Sequence, residues 1–240
     1  MNRECVMANP FFRFKQFTVW HDRCAMKVGT DAVLLGSWVN VDGAKRLLDI
    51  GCGCGLIALM VAQRCEGQVV AVEIDSEASS QAAENVSRSP WSERMEVINA
   101  DIRTFVDDEK FDVIFSNPPY FMESLKCPDR KRSDARHTDS LSFDDLMRSA
   151  SSLLKQTGEF SVVIPASAFE AMNASAVSHK LYLTRHTWVF TKKGTPAKRV
   201  LLTYSPKMPA FQVNPHELVI EKSPKVYGDE FADMVKDFYL

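Results

Sequence analysis

With 240 residues, 45% of them hydrophobic, the chain is long enough to bury a substantial core and fits one large α/β domain. A formal net charge of -2 argues against a uniformly basic nucleic-acid coat, so charge has to be read segment by segment. No run approaches the roughly 18 apolar residues that cross a bilayer, and residues 1–20 alternate Phe with charged residues instead of showing a signal-peptide core, which predicts a soluble, cytoplasmic protein.

Phe11 to Arg23 alternates bulky and polar residues, which suggests a small hairpin, and Thr30-Asp31 is placed to cap a helix running through about Val39. From Arg46 the pattern becomes strand Arg46 to Gly51, helix Leu56 to Cys65, strand Gln68 to Asp75 and helix Glu77 to Ser87. Further strands are predicted at Met95 to Asp101, Phe111 to Ser116, Glu159 to Pro165, Tyr182 to Thr191 and Arg199 to Ser205, with helices at Ser142 to Lys155 and Ala166 to His179. The turn Lys193-Gly194-Thr195-Pro196 makes the last two strands a hairpin and one of them antiparallel. The expected fold is α/β: a seven-stranded, mostly parallel sheet with helices on both faces and ligands at the carboxyl ends of the strands. One domain is expected, with residues 1–45 as an N-terminal hairpin and helix, 46–205 as the core sheet and 206–240 as a C-terminal extension. That extension reads as a proline-punctuated tail from Lys207 to Lys225 before a short helix at Asp229 to Phe238.

Cys5, Cys24, Cys52, Cys54, Cys65 and Cys127 form no Cys-x-x-Cys pair and have no adjacent His cluster, so neither a metal nor a disulfide is expected. Cys52 and Cys54 lie inside a glycine-rich turn, Gly51-x-Gly53-x-Gly55, that follows one strand and opens a helix, where the backbone can approach a ligand closely. The spacing is one residue shorter than the dinucleotide fingerprint, and Asp49 in front of it would repel a diphosphate but welcome an α-amino group. That choice fits S-adenosylmethionine, a zwitterion with a sulfonium. Glu73, about twenty residues after the loop, is placed to accept hydrogen bonds from both ribose hydroxyls, and Asp101, ending the next strand, to meet the adenine amine.

Asn117-Pro118-Pro119-Tyr120 follows the strand Phe111 to Ser116. An exocyclic amine of adenine delocalises its lone pair into the ring, so a catalyst must favour the pyramidal form. The Asn117 side-chain oxygen and the Pro118 carbonyl can each accept one amine hydrogen, while Pro118 and Pro119 restrict φ and bring no donor. Tyr120 would stack on the extruded base. The tetrapeptide indicates methyl transfer to a planar nitrogen; a protein glutamine amide presents the same lone-pair problem.

Through Asp49 to Gly55, Glu73, Asp101 and Asn117 to Tyr120 the sequence resembles the class I S-adenosylmethionine-dependent methyltransferases over roughly Arg46 to Ser205. The resemblance implies a seven-stranded sheet with an antiparallel final strand, and a segment containing Lys27, Thr30 and Asp31 that covers the methionine end of the cofactor. Phe14-Lys15-Gln16-Phe17, His21-Asp22, Met26 to Asp31 and Leu34-Leu35-Gly36 look like one bacterial family, the tRNA1(Val) adenine(37)-N6 methyltransferases, over most of the chain. That resemblance implies tRNA as partner and an adenine in the single-stranded anticodon loop as target. Charge placement is compatible: Lys126, Arg130, Lys131, Arg132 and Arg136 crowd the loop after the tetrapeptide, and Arg185, Lys192, Lys193, Lys198 and Arg199 occupy the last hairpin with no acid between them. No obligate protein partner is evident.

The rival readings are a methyltransferase for a release-factor glutamine, for a guanine amine in ribosomal RNA or for DNA adenine; a nicotinamide oxidoreductase; and a silent RNA-binding module. Glutamine enzymes of similar type usually carry an additional N-terminal helical domain, for which the residues before Arg46 are few. The glycine spacing disfavours the oxidoreductase, and a silent module has no chemical need of the acids and the tetrapeptide.

Overall fold

Alternating apolar side chains let most of the strands bury both faces, and that alternation sorts the core into two layers. The computed structural model describes residues 9–119 and 141–240. A hairpin of β1 (Phe11–Arg13) and β2 (Thr18–Trp20) pairs Phe11 with Trp20. It leads into helix α1 (Thr30–Trp38). The expected Thr30-Asp31 cap is not what forms: Gly29 is the N-cap, no side chain caps the helix, and Asp31 turns instead to an ion pair with Arg199.

The main sheet contains β3 (Arg46–Ile50), β4 (Gln68–Glu73), β5 (Met95–Asn99), β6 (Phe111–Ser116), β7 (Leu154–Pro165), β8 (Tyr182–Lys192), β9 (Arg199–Ser205), β10 (His216–Ser223) and β11 (Val226–Tyr227). Their order is β11-β10-β8-β9-β7-β6-β3-β4-β5. Strand β9 runs antiparallel to β7 and β8, so the last of the seven expected strands is the reversed one. Among the described residues the main sheet has nine strands, which corrects the expected seven. The segment read as a proline-punctuated tail carries β10, which pairs parallel to β8 through Leu218↔Val189, and β11 folds back on it. Strand β7 also starts at Leu154, earlier than Glu159.

Helices α2 (Leu56–Arg64) and α3 (Ser76–Ser87) share with α1 the face lined by Leu47, Val69, Val113, Val163 and Leu201. Helix α6 (Asp229–Val235) adds Phe231 and Val235 to this layer. Helices α4 (Phe143–Leu153) and α5 (Phe169–Ser178) cover the opposite face, lined by Leu48, Val70, Ile114, Val162 and Leu202. Fully buried residues such as Leu34, Leu59 and Leu202 each contribute about 1.5–3 kcal/mol by leaving water. Among the described residues no helix is long and apolar enough to cross a membrane.

The chain runs from β3 outward through β4 to β5, then returns to place β6 on the other side of β3. This reversal opens a crevice at the carboxyl ends of β3 and β6, where a ligand can lie against strand ends with no helix in the way. The side chain of Ser116, at the end of β6, donates to the Ile50 carbonyl at the end of β3 (2.8 Å), tying the two strand ends together beneath that crevice.

Candidate active site

Gly51, Gly53 and Gly55 all have left-handed backbone, with φ of 70°, 55° and 80°. A side chain at any of them would be strained, so the glycines answer first to conformation rather than to space. A β-carbon at Gly51 or Gly53 would nonetheless point into open volume, with nothing within 4 Å. That volume belongs to a cavity of about 800 Å³. The cavity brings together Gly51, Gly53, Glu73, Asp101, Asn117 and Pro119, contributed by four different strand ends. Ile74, Ala78, Ile102 and Leu141 supply apolar walls suited to a planar ring.

Glu73 Oε2 accepts the Gly53 N–H (2.8 Å) and Oε1 accepts the Asp75 N–H (3.0 Å). The carboxylate thus joins the glycine loop to the start of α3, and each oxygen keeps a lone pair for a ligand hydroxyl. Asp101 is gripped by Arg103, whose Nε reaches both carboxylate oxygens (3.0 and 2.9 Å) and whose terminal nitrogen reaches Oδ2 (2.6 Å). Arg103 holds the Asp101 carboxyl below the usual carboxylate range, so Asp101 is ionised at neutral pH. Arg103 also lines the cavity, and sequence reasoning missed it although it stands only two residues from Asp101.

Asp49 is fully buried beneath the loop, outside the cavity lining. Its Oδ2 accepts the Ala58 N–H in the first turn of α2 (3.1 Å), and its Oδ1 has no partner. Burial pushes this carboxyl up to about 8; the Ala58 bond opposes the rise and Glu73 adds to it. Gly55 likewise lies off the cavity, packed on Ala82. Cys52 and Cys54 are buried free thiols.

The wall over the loop comes from Arg23, Cys24, Ala25 and Met26. Lys27 and Thr30 are exposed and outside the lining, and Asp31 pairs with Arg199 at 2.7 Å, joining α1 to β9. Two buried amides on α3, which sequence reasoning also missed, hold this wall down. Gln81 Oε1 accepts from the Arg23 N–H (3.2 Å), and its Nε2 donates to Asp22 (2.7 Å). Asn85 pairs with both backbone groups of Trp20 (3.0 and 2.8 Å) and donates to the Cys54 carbonyl in the glycine loop (2.9 Å).

Asn117 and Pro119 sit at the cavity rim; Tyr120 and the cluster Lys126, Arg130, Lys131, Arg132 and Arg136 lie outside the described residues. On the last hairpin the expectation of five available cations is corrected. Arg185 is at the other end of β8, stacked on Trp38 at 3.8 Å; Lys192 pairs with Glu221 of β10 at 3.7 Å; Arg199 holds Asp31. Lys193 and Lys198 are exposed and make no ion pair among the described residues.

A family model described as the methyltransferase small domain matches residues 24–175. The chain is 50% identical to the tRNA1(Val) (adenine(37)-N6)-methyltransferase of Bacteroides thetaiotaomicron, over 98% of this chain and 99% of that one. It is 51% identical to the Phocaeicola vulgatus protein of the same name over the same shares, and 43% identical to that of Yersinia enterocolitica over 95% and 92%. Among solved structures, a predicted O-methyltransferase from Agrobacterium tumefaciens superposes with a TM-score of 0.70 at 23% identity, covering 87% of this chain and 96% of that one. The glycopeptide N-methyltransferase MtfA, complexed with (S)-adenosyl-L-methionine, gives 0.53 at 11% identity over 70% and 89%. At those identities the solved structures speak for the fold.

Proposed function

The chain belongs to the methyltransferase small domain family, and from that premise we propose that it transfers a methyl group from S-adenosylmethionine to the N6 amine of adenine 37 in the anticodon loop of tRNA1(Val), in the cytoplasm. One observation carries the reading: a single cavity joins the Gly51 and Gly53 cradle, Glu73 and Asp101 to Asn117 and Pro119. Identity of about half over nearly full length to enzymes named for that reaction supports the substrate.

The residues fit the cofactor. Gly51 and Gly53 leave room for it, Glu73 offers acceptors for a ribose, and the apolar walls with Asp101 suit a purine carrying an amine. When bound, S-adenosylmethionine supplies a methyl group already activated by the adjacent positive charge.

The chain's own contribution is position. Asn117 Oδ1 and the Pro118 carbonyl each accept one hydrogen of the substrate amine, which turns its lone pair out of the ring plane and toward the cofactor side of the cavity. Pro118 and Pro119 fix the backbone that aims those acceptors, and the Ser116 bond to Ile50 fixes the strand end before them. Tyr120 stacks on the base, which costs least to extrude from a single-stranded loop. No strong base is needed: the nitrogen becomes acidic once alkylated and gives its proton to water. Lys193 and Lys198 take phosphates of the RNA backbone, and the charges of Lys126, Arg130, Lys131, Arg132 and Arg136 add to that attraction.

Bulk tRNA incubated with the enzyme and isotopically labelled donor, then digested to nucleosides for mass spectrometry, tests this. Labelled N6-methyladenosine confined to one isoacceptor is the expected result. Label in guanosine, in DNA adenine or in a protein glutamine would replace the substrate, and no label in any of them would remove the activity.

A further inference from the structure

The rim beside Asn117 carries a feature that the transfer itself does not use. His186 pairs with Leu202, Leu202 with Val162, and Val162 with Ser116, so His186 on β8 lies level with the end of β6. Trp188 pairs with Val200 and Val200 with Ile164, which puts Trp188 two residues nearer the carboxyl end, past the level of Ser116. Three strand spacings separate β8 from β6, a lateral distance of about 14 Å that a few nucleotides can span.

Phe169 opens α5 just beyond the end of β7 and packs its ring against Trp188 (centroids 5.1 Å apart) and His186 (5.8 Å). Trp188 and Phe169 are partly exposed, on the sheet face shared with Ile114 and Leu202. His186 beneath them is buried, and burial pushes its imidazole below the usual range, so this floor is uncharged at neutral pH. The Lys198 N–H donates to the Val189 carbonyl (3.0 Å), which sets Lys198 one residue from Trp188, at the base of the turn that carries Lys193. Partly exposed rings beside exposed cations, three strands from the reactive rim, match what single-stranded nucleic acid offers: π-faces and phosphates together.

We propose that Trp188 and Phe169 form a second stacking platform, which holds a nucleotide flanking the target adenine while Lys193 and Lys198 take the adjoining phosphates. It rests on the RNA reading above. A platform of this kind would make affinity depend on the loop's path across the rim and on the target base alike.

The test uses an anticodon stem-loop RNA scanned with single abasic residues, in steady-state assays of the full chain. With the unaltered protein, one abasic position beside the target should raise KM about tenfold, the size of one lost stacking contact. Trp188→Ala should raise KM for the intact RNA by a similar factor and erase the penalty at that abasic position, with cofactor affinity unmoved. Trp188→Phe should restore most of both. Trp188→Leu keeps apolar bulk in the core and separates lost stacking from lost folding: it should behave like Ala. Abasic penalties that stay the same in Trp188→Ala and Trp188→Leu would overturn the platform, as would an unchanged KM. Failure of the unaltered protein to bind or methylate any RNA would instead overturn the RNA reading.

Discussion

Around the glycine loop polar groups are committed to protein partners: Gly53 to Glu73, Glu73 to Asp75, Asp101 to Arg103, and Gln81 and Asn85 to the wall above. At the turn between β8 and β9 the arrangement is the reverse, with Lys193 and Lys198 solvated and outside any ion pair among the described residues. The first region is preorganised for a ligand of fixed shape, where an ångström of slack costs rate or affinity. The second is fitted to a flexible polyanion, whose charges act at longer range and tolerate motion. Substitutions in the two regions should therefore fail in different ways, one through geometry and the other through salt-sensitive binding.

Asn117 lines the cavity together with Glu73 and Asp101, and its loss should have the largest effect. On the proposed reading Asn117→Ala lowers kcat on the order of a thousandfold, comparable to removing one aligned hydrogen-bonding group from a preorganised site. Cofactor affinity should stay within about twofold, because Glu73, Asp101 and the glycines remain. Retained turnover in a single-turnover assay would refute the acceptor role. Glu73→Ala falls wholly on the cofactor side. It removes a charged acceptor that also anchors Gly53, so cofactor affinity by calorimetry should drop about a hundredfold while RNA affinity is unmoved. A parallel loss of RNA affinity would break the separation of the two regions.

Asp49 gives the cofactor side a pH dependence of its own. An acid whose folded-state value is raised to about 8 binds more protons folded than unfolded between about pH 4 and pH 8. Its stabilising contribution is complete below the unfolded value and disappears as pH rises through the folded one. The melting temperature of the cofactor-free protein should therefore fall by several degrees across that window, and Asp49→Asn should flatten that part of the curve. A variant that keeps the full slope would mean that Asp49 is ionised in the fold.

Much of the cofactor side was legible in the sequence because its signals are local. Gly51-x-Gly53-x-Gly55, Glu73 and Asp101 each sit at a strand end that hydrophobic alternation already marks. What escaped depends on partners distant in the chain. Gln81 and Asn85 read as the polar face of an amphipathic helix, and only the packing of residues 20–24 above α3 buries them. Strand β10 escaped because Leu218-Val219-Ile220 is a short apolar run ahead of Pro224, extended only by its pairing with β8. Asp49 suggests a ligand for an α-amino group in the sequence, and its burial beneath the loop, off the cavity lining, follows only from the fold. The hairpin cations looked alike in sequence, and the fold gives Arg185, Lys192 and Arg199 internal partners from α1 and β10.

That last difference yields the smallest and most discriminating expectation. If Lys193 and Lys198 meet phosphates, replacing each with Ala should weaken RNA binding severalfold at low salt. The slope of log affinity against log salt should fall by about 0.7 for each contact removed, the single-strand value. Lys192→Ala should do less, since Lys192 already faces Glu221 and its removal frees a carboxylate as it deletes a cation. Double replacement of Lys192 and Glu221 should bring affinity back toward that of the unaltered protein, because the pair is neutral as a unit. Equal effects from Lys192, Lys193 and Lys198 would mean that RNA pulls Lys192 away from β10, and that the rim rearranges on binding instead of offering its charges ready placed.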